Sequence, residues 1–301
     1  MRLVFLGTAA FAVPSLRVCA ESHDVAAVVT QPDRPGHRGG PAARPVADAA
    51  RSLGLQILTP ERIRDEDATR EIAALSPRCI VVAAYGQILS QALLDVPPDG
   101  AVNVHASLLP RWRGASPVAH AIMAGDTETG VTIMRVEAGL DTGPIYALQR
   151  VAMAPDVTAP SLTATLAQLG ARLLGDVLQR IERGDARATA QPDHGVTLAP
   201  RLRREDGMIE WETHDAVDID RRVRALQPWP GVMAPLGGQR VRILEGHVAS
   251  EVRSATAPGG ITESEGDAVT VATSRGSYGV ARVLPPGSRP MSAAAYLRGR
   301  R

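Results

Sequence analysis

A chain of 301 residues with 33 basic and 32 acidic side chains has a net charge of +1, which excludes a global field drawing it onto nucleic acid. Every basic residue is arginine, so a lysine nucleophile or Schiff base is excluded. Two cysteines are too few for a four-ligand structural zinc site, and no apolar run is long enough to span a bilayer.

Cys19 and Cys79 sit in apolar stretches and are expected as buried, reduced thiols. The apolar run at the N-terminus is short and ends in Gly7-Thr8, unlike a signal peptide. The expected compartment is the cytoplasm, with no membrane contact. The length suits two domains.

Leu3 to Leu6 is a short apolar run, and Phe11 to Cys19 then has apolar residues at helical spacing. Further short apolar runs lie at Val25 to Val29, Cys79 to Ala84 and Ala101 to Val104. Helices are predicted between them at Val46 to Leu53, Asp65 to Leu75 and Pro117 to Ala124. Short apolar runs alternating with helices read as βαβ units and a mostly parallel, doubly covered sheet. Val131 to Val136 and Ile145 to Val151 are further predicted strands. A long helix follows, with Leu162, Leu166, Leu169, Leu173, Val177 and Ile181 on one face. Ser161 is its expected cap and Gly184 its expected stop.

Residues 185–204 are polar and carry Pro192, Gly195 and Pro200, the composition of a linker. Beyond it come short alternating segments, Arg240 to Leu244 and Val269 to Thr273, with one helix at Asp215 to Leu226. The fold class is therefore α/β: a domain with a mostly parallel sheet over 1–184, the linker, and a smaller β-rich domain over 205–301. From residue 200 onward there are 15 arginines against 12 acidic residues, a bias that permits phosphate contact.

The loop Gly7-Thr8-Ala9-Ala10 lacks the second and third glycines of a dinucleotide fingerprint. The segment from Asn103 to Gly114 carries more chemistry. On a strand, Asn103 and His105 face the same side, and an amide beside an imidazole at the end of a buried strand demands partners. Gly139-Leu140-Asp141-Thr142-Gly143 taken alone is an Asx-type turn.

Together these segments resemble the 10-formyltetrahydrofolate-dependent formyltransferases. Asn103-Val104-His105 followed by Ser107-Leu108-Leu109-Pro110 is similar to that family's active-site strand and loop, and Asp141 falls in a stretch like the one carrying its essential aspartate. The likeness is greatest to the branch that formylates methionyl-tRNA. It includes Gln31-Pro32-Asp33-Arg34-Pro35, Val82-Ala83-Ala84-Tyr85-Gly86, Arg111-Trp112-Arg113-Gly114 and Gln227-Pro228-Trp229-Pro230-Gly231.

The resemblance implies a Rossmann-like formyltransferase domain and an OB-like C-terminal barrel that binds tRNA. It implies Asn103, His105 and Asp141 as catalytic residues. The folate would meet the backbone of Ala84, Tyr85, Gly86, Gln87 and Ile88, and the loop of Ser107, Leu108, Leu109 and Pro110. Arg34, Arg38 and Arg44, in the loop the family uses against the acceptor stem, and Arg201, Arg203 and Arg204 would meet tRNA. The formyl donor would be 10-formyltetrahydrofolate and the acceptor the α-amino group of initiator methionyl-tRNA, with no metal, in a monomer.

In such a transfer the Asn103 amide can donate to the developing oxyanion, and His105 can donate or carry a proton. Asp141 can orient the histidine or accept a proton, and the sequence leaves open which of the two is the base. Three other readings remain: formyl transfer to a small amine such as an amino sugar or purine precursor, hydrolysis of formyl-folate, and a non-catalytic RNA-binding module.

Overall fold

The computed structural model describes residues 1–32 and 44–299. Seven strands form the first sheet: β1 (Arg2–Gly7), β2 (Asp24–Val29), β3 (Ile57–Leu58), β4 (Cys79–Ala83), β5 (Ala101–His105), β6 (Glu128–Arg135) and β7 (Ile145–Ala152). Their order is β3-β2-β1-β4-β5-β6-β7. Pairings from β3 through β5 are parallel, and β6 and β7 add antiparallel. Leu3 to Leu6 and Cys79 to Val81 are fully buried, as expected where helices cover both faces of parallel strands.

The chain reverses its direction across the sheet between β1 and β4, and ligands of open α/β sheets bind at the carboxyl edge of such a switch point. There the amides of Thr8 and Ala9 donate to the Ala84 carbonyl at 3.2 and 3.4 Å.

The helices follow the apolar periodicity: α1 (Val13–Ser22), α2 (Pro45–Ser52), α3 (Glu66–Ala74), α4 (Gln91–Leu94), α5 (Pro117–Ala124) and α6 (Ala159–Arg183). α6 buries Leu162, Leu166, Leu169, Leu174, Val177 and Leu178, each contributing about 1.5–3 kcal/mol of apolar burial. A Cβ on Gly170 would lie 2.7 Å from Val104 and 3.2 Å from Val131, so the helix crosses β5 and β6 at close range. Thr158, rather than Ser161, begins this helix. Ser161 Oγ accepts from the Thr158 amide and Thr158 Oγ1 from the Ser161 amide, a reciprocal capping arrangement that adds a turn upstream. Gly184, at φ +77, ends it as expected.

The chain divides into two compact units, one of residues 1–117, 128–152 and 162–200, the other of residues 118–127, 153–161 and 201–301. The segment expected as a linker does not run free. Ile145 and Thr189 exchange backbone hydrogen bonds of 2.7 and 2.9 Å. The Arg113 amide donates to the Thr197 carbonyl at 2.9 Å, and the Ala199 amide donates to the Arg113 carbonyl at 2.7 Å. The backbone partners of this segment are the start of β7 and a loop, so no apolar period marks it.

In the second unit, α7 (Ala216–Ala225) is capped by Asp215, whose side chain accepts from the Asp218 amide at 2.8 Å. Strands β8 (Val232–Leu236), β9 (Gln239–Ser250), β10 (Ile261–Glu265), β11 (Ala268–Ala272) and β12 (Ser277–Leu284) pair antiparallel in the order β10-β11-β12-β9-β8, and β13 (Met291–Ser292) pairs with β12. Helix α8 (Ala293–Arg298) closes the described chain. Alternating Val241 and Ile243, Val269 and Val271, and Tyr278 and Val280 supply its core.

Candidate active site

β5 carries two of the three expected catalytic residues, and its neighbours fix how they point. Asn103 lies beside Val82 of β4 and Met134 of β6, and His105 lies opposite Thr132. Because side chains alternate along a strand, Asn103 and His105 share a face. The third residue arrives from a separate loop. Asp141 adopts φ +52, a left-handed conformation that aspartate tolerates better than most residues.

The Asp141 carboxylate is the point where the site converges. Asn103 Nδ2 donates to its Oδ1 at 3.4 Å, and the Gly114 amide donates to its Oδ2 at 2.9 Å. His105 Nδ1 stands 3.6 Å from the same Oδ2, an ion-pair separation rather than a hydrogen bond. His105 Nε2 lies 2.9 Å from the Trp112 carbonyl oxygen. A carbonyl only accepts, so Nε2 carries the proton and Nδ1 is the nitrogen turned to the carboxylate. His105 is 6% and Asp141 17% exposed, so the pair meets in a partly dried setting where charge interactions are strengthened.

The loop after β5 is held by Thr132, whose hydroxyl donates to the Ser107 carbonyl at 2.7 Å and accepts from the Leu109 amide at 3.2 Å. Ser107 Oγ donates to the Arg111 carbonyl at 2.6 Å. Trp112 sits at φ +62, with the Arg111 guanidinium 4.3 Å from its ring centre, a cation–π distance.

The residues expected against folate divide into two kinds. Ala84 (φ +44), Gly86 and Ile88 are exposed beside the carboxyl end of β4, Ile88 by 87%. The Tyr85 ring is 2% exposed and belongs to the apolar core with Leu6, Val29 and Ile63, so it offers that site only backbone. Burial pushes its phenol up to about 12. Its carbonyl accepts from Thr8 Oγ1 at 3.0 Å and Gln31 Nε2 at 2.8 Å. Gln87 turns to the 61–63 segment, accepting from the Ile63 amide at 2.9 Å. Ser107 and Leu109 are buried, and Leu108 lies against Gly130 of β6.

Of the arginines, Arg44 stands at the start of α2 in the first unit, and Arg201, Arg203 and Arg204 are exposed in the second. Arg34 and Arg38 lie outside the described residues. Burial raises the thiol of Cys79 to about 12 and that of Cys19 further, so neither is a ready nucleophile.

Two further residues touch the loops of Asp141 and Trp112. Gln191 Nε2 donates to the carbonyls of Asp141 and Gly143, both at 2.8 Å, and its Oε1 accepts from Arg113. Thr197 Oγ1 accepts from the Trp112 amide at 2.9 Å. Both fall in the segment expected as a linker, where glutamine and threonine carry no signal of their own.

A family model described as formyl transferase matches residues 1–178, and one described as formyl transferase, C-terminal domain, matches residues 201–301. The methionyl-tRNA formyltransferase of Paramagnetospirillum magneticum is 45% identical over 302 residues, covering 99% of this chain and 97% of its own. That of Myxococcus xanthus is 44% identical over 299 residues, covering 99% and 95%. The chain belongs to the methionyl-tRNA formyltransferase family.

As a member of the methionyl-tRNA formyltransferase family it is a formyltransferase enzyme. HypX from Aquifex aeolicus, solved in complex with tetrahydrofolic acid, superposes with a TM-score of 0.66 at 20% identity, covering 99% of this chain and 47% of that one. This chain thus spans about half the length of HypX. An N-formyltransferase from Helicobacter canadensis, solved with folinic acid and dTDP-3-aminofucose, superposes with a TM-score of 0.70 at 18% identity, covering 94% of this chain and 99% of that one. These likenesses show the fold. Asn103, His105 and Asp141 lie within the first matched region, and Gln191 and Thr197 lie between the two.

Proposed function

We propose that the protein moves the formyl group of 10-formyltetrahydrofolate onto the α-amino group of methionine charged on initiator tRNA, in the cytoplasm. The observation that carries this reading is the meeting of Asn103, His105 and the Asp141 carboxylate beside the carboxyl edge of β5. The relatives named for methionyl-tRNA support the acceptor.

In the reaction the amine nitrogen attacks the formyl carbon and the carbon–nitrogen bond to the folate breaks. One proton leaves the amine and one is delivered to the folate nitrogen. The Asn103 amide stabilises the oxygen as it gains charge. His105 Nδ1 is the proton port: Nε2 is committed to the Trp112 carbonyl, so a proton taken up at Nδ1 is held against the Asp141 carboxylate and handed on. Asp141 therefore acts by holding the imidazolium, with His105 the group that moves the proton.

The folate is assigned to the exposed edge at Ala84, Gly86 and Ile88, the backbone of Tyr85 and Gln87, and the loop of Ser107, Leu108, Leu109 and Pro110. Arg34, Arg38 and Arg44, with Arg201, Arg203 and Arg204, are assigned to phosphates of the tRNA, where arginine binds phosphate with geometric selectivity.

The test is formyl transfer to initiator methionyl-tRNA, elongator methionyl-tRNA and free methionine, with wild type and His105→Ala. Transfer to the initiator alone, lost in the variant, is the expected result. Transfer to a small amine in preference to tRNA, or donor consumed with no acceptor formylated, would sink it.

A further inference from the structure

Gln191 uses its whole hydrogen-bonding capacity on the catalytic loops. Both N–H groups of its amide go to carbonyls of the Asp141 turn, those of Asp141 and Gly143. Its oxygen takes two N–H groups of Arg113, at 3.1 and 2.7 Å. One side chain thus ties the loop that presents Asp141 to the loop that presents the Trp112 carbonyl and the Gly114 amide.

Thr197, further along the same segment, holds the second loop again. Its hydroxyl accepts from the Trp112 amide, its amide donates to the Pro110 carbonyl at 3.4 Å, and its carbonyl accepts from the Arg113 amide at 2.9 Å. Both loops are in conformations that need such support. Asp141 and Trp112 have positive φ, a strained conformation that persists only where the surrounding structure over-determines it. The fit is close on both sides. A Cβ on Gly114 would lie 2.6 Å from the Ala199 carbonyl, and one on Gly143 2.0 Å from the Arg135 carbonyl.

We propose that residues 189–199 form a strap in which Gln191 is the positioning residue for Asp141 and Thr197 for the Trp112 carbonyl that fixes the His105 tautomer. Gln191 touches no reacting atom. It acts by keeping Asp141 Oδ2 between the Gly114 amide and His105 Nδ1. The role rests on the proposed formyl transfer for its kinetic readout, but its geometry does not.

Gln191→Glu is the sharp variant. It keeps an oxygen for Arg113 and turns both donors into acceptors facing two carbonyls. Thr197→Val is the second variant and keeps shape while removing the acceptor for Trp112. Single-turnover transfer by each should fall roughly 10- to 100-fold, the scale of a small misplacement, with KM for both substrates held within about twofold. In an Asp141→Ala background Gln191→Glu should lower the rate no further, since residues acting as one unit are non-additive.

Amide hydrogen exchange supplies a readout free of activity. The Gly114 amide should exchange about tenfold faster in Gln191→Glu, because a loosened Asp141 protects it less. An unchanged rate of transfer in both variants would overturn the proposal. So would a full additional loss in the Asp141→Ala background, or unchanged exchange at Gly114. If the wild type transfers no formyl group, the functional reading falls and the Gly114 exchange alone decides the strap.

Discussion

The Gly114 amide donates to Asp141 Oδ2 at 2.9 Å across 27 residues of chain, and this bond sets which carboxylate oxygen faces His105. The same Oδ2 is the atom 3.6 Å from His105 Nδ1, while Oδ1 turns to Asn103. Each oxygen of the carboxylate therefore has a separate partner, one the His105 imidazole and the other the Asn103 amide.

Asn103→Ala removes the amide donor and leaves Asp141 anchored through Gly114. Single-turnover formyl transfer should drop about 10²-fold or more, the scale of one lost oxyanion donor, with little change in melting temperature because Asn103 is only half-buried. Rapid-quench kinetics with saturating donor and acceptor check this. A rate equal to wild type would show that Asn103 serves the fold rather than the reaction.

Gly114→Ala tests the loop from its other side. Gly114 has φ +122, and an added Cβ would lie 2.6 Å from the Ala199 carbonyl oxygen. That oxygen accepts from the Ser116 amide, so it cannot swing aside freely. The substitution should cost about 1–3 kcal/mol in stability, read as a lowered midpoint in urea, and should reduce transfer as the Asp141 contact is lost. A Gly114→Ala protein as stable and active as the parent would mean the loop has slack the structure does not show.

The parallel strands were legible because runs such as Leu3 to Leu6 and Cys79 to Val81 are apolar on both faces, and α6 was legible from its period. β3, with two residues, is too short to carry a pattern. Asn103 and His105 could be paired from alternation along one strand. Their link to Asp141, 38 positions beyond Asn103, could be reached only through resemblance, since Asp141 in isolation reads as a turn residue. Gln191 and Thr197 left no trace, because they bind backbone carbonyls and amides, which every sequence supplies, and one arginine distant in sequence. Tyr85 was expected to meet folate through its backbone at the carboxyl edge of β4, and its ring lies in the apolar core.

Gly170 places α6 on β5 by having no side chain. A Cβ there would meet Val104, the residue before His105, at 2.7 Å. Gly170→Ala gains helix propensity of about 1 kcal/mol but overpacks the helix–sheet contact, which costs about 1–3 kcal/mol. Net destabilisation is expected, together with reduced transfer as β5 shifts. A thermal melt paired with single-turnover kinetics checks both. A more stable variant with unaltered rate would show that the helix can lift from the sheet without disturbing His105.

Tyr85 gives the alkaline limb of stability a residue-level origin. Its hydroxyl is buried with no hydrogen-bond partner among the described residues, and burial raises its pKa from the ordinary 10.0 to about 12. A raised folded-state value means the native protein holds the proton that the unfolded chain gives up. The contribution is therefore fully present below about pH 10 and is lost as pH climbs toward about 12. Cys79, raised from 9.0 to about 12 by burial, adds to the same limb from about pH 9. Tyr85→Phe removes a buried unpaired hydroxyl, so stability near neutral pH should stay equal or rise by up to about 1–3 kcal/mol. The variant should also lose stability less steeply above about pH 10, by up to about 1.4 kcal/mol per pH unit relative to wild type. Urea unfolding of the two proteins between about pH 8 and pH 11 measures the difference. Parallel curves would mean that the Tyr85 phenolate is solvated in the native state, and that its place in the core is wetter than its burial implies.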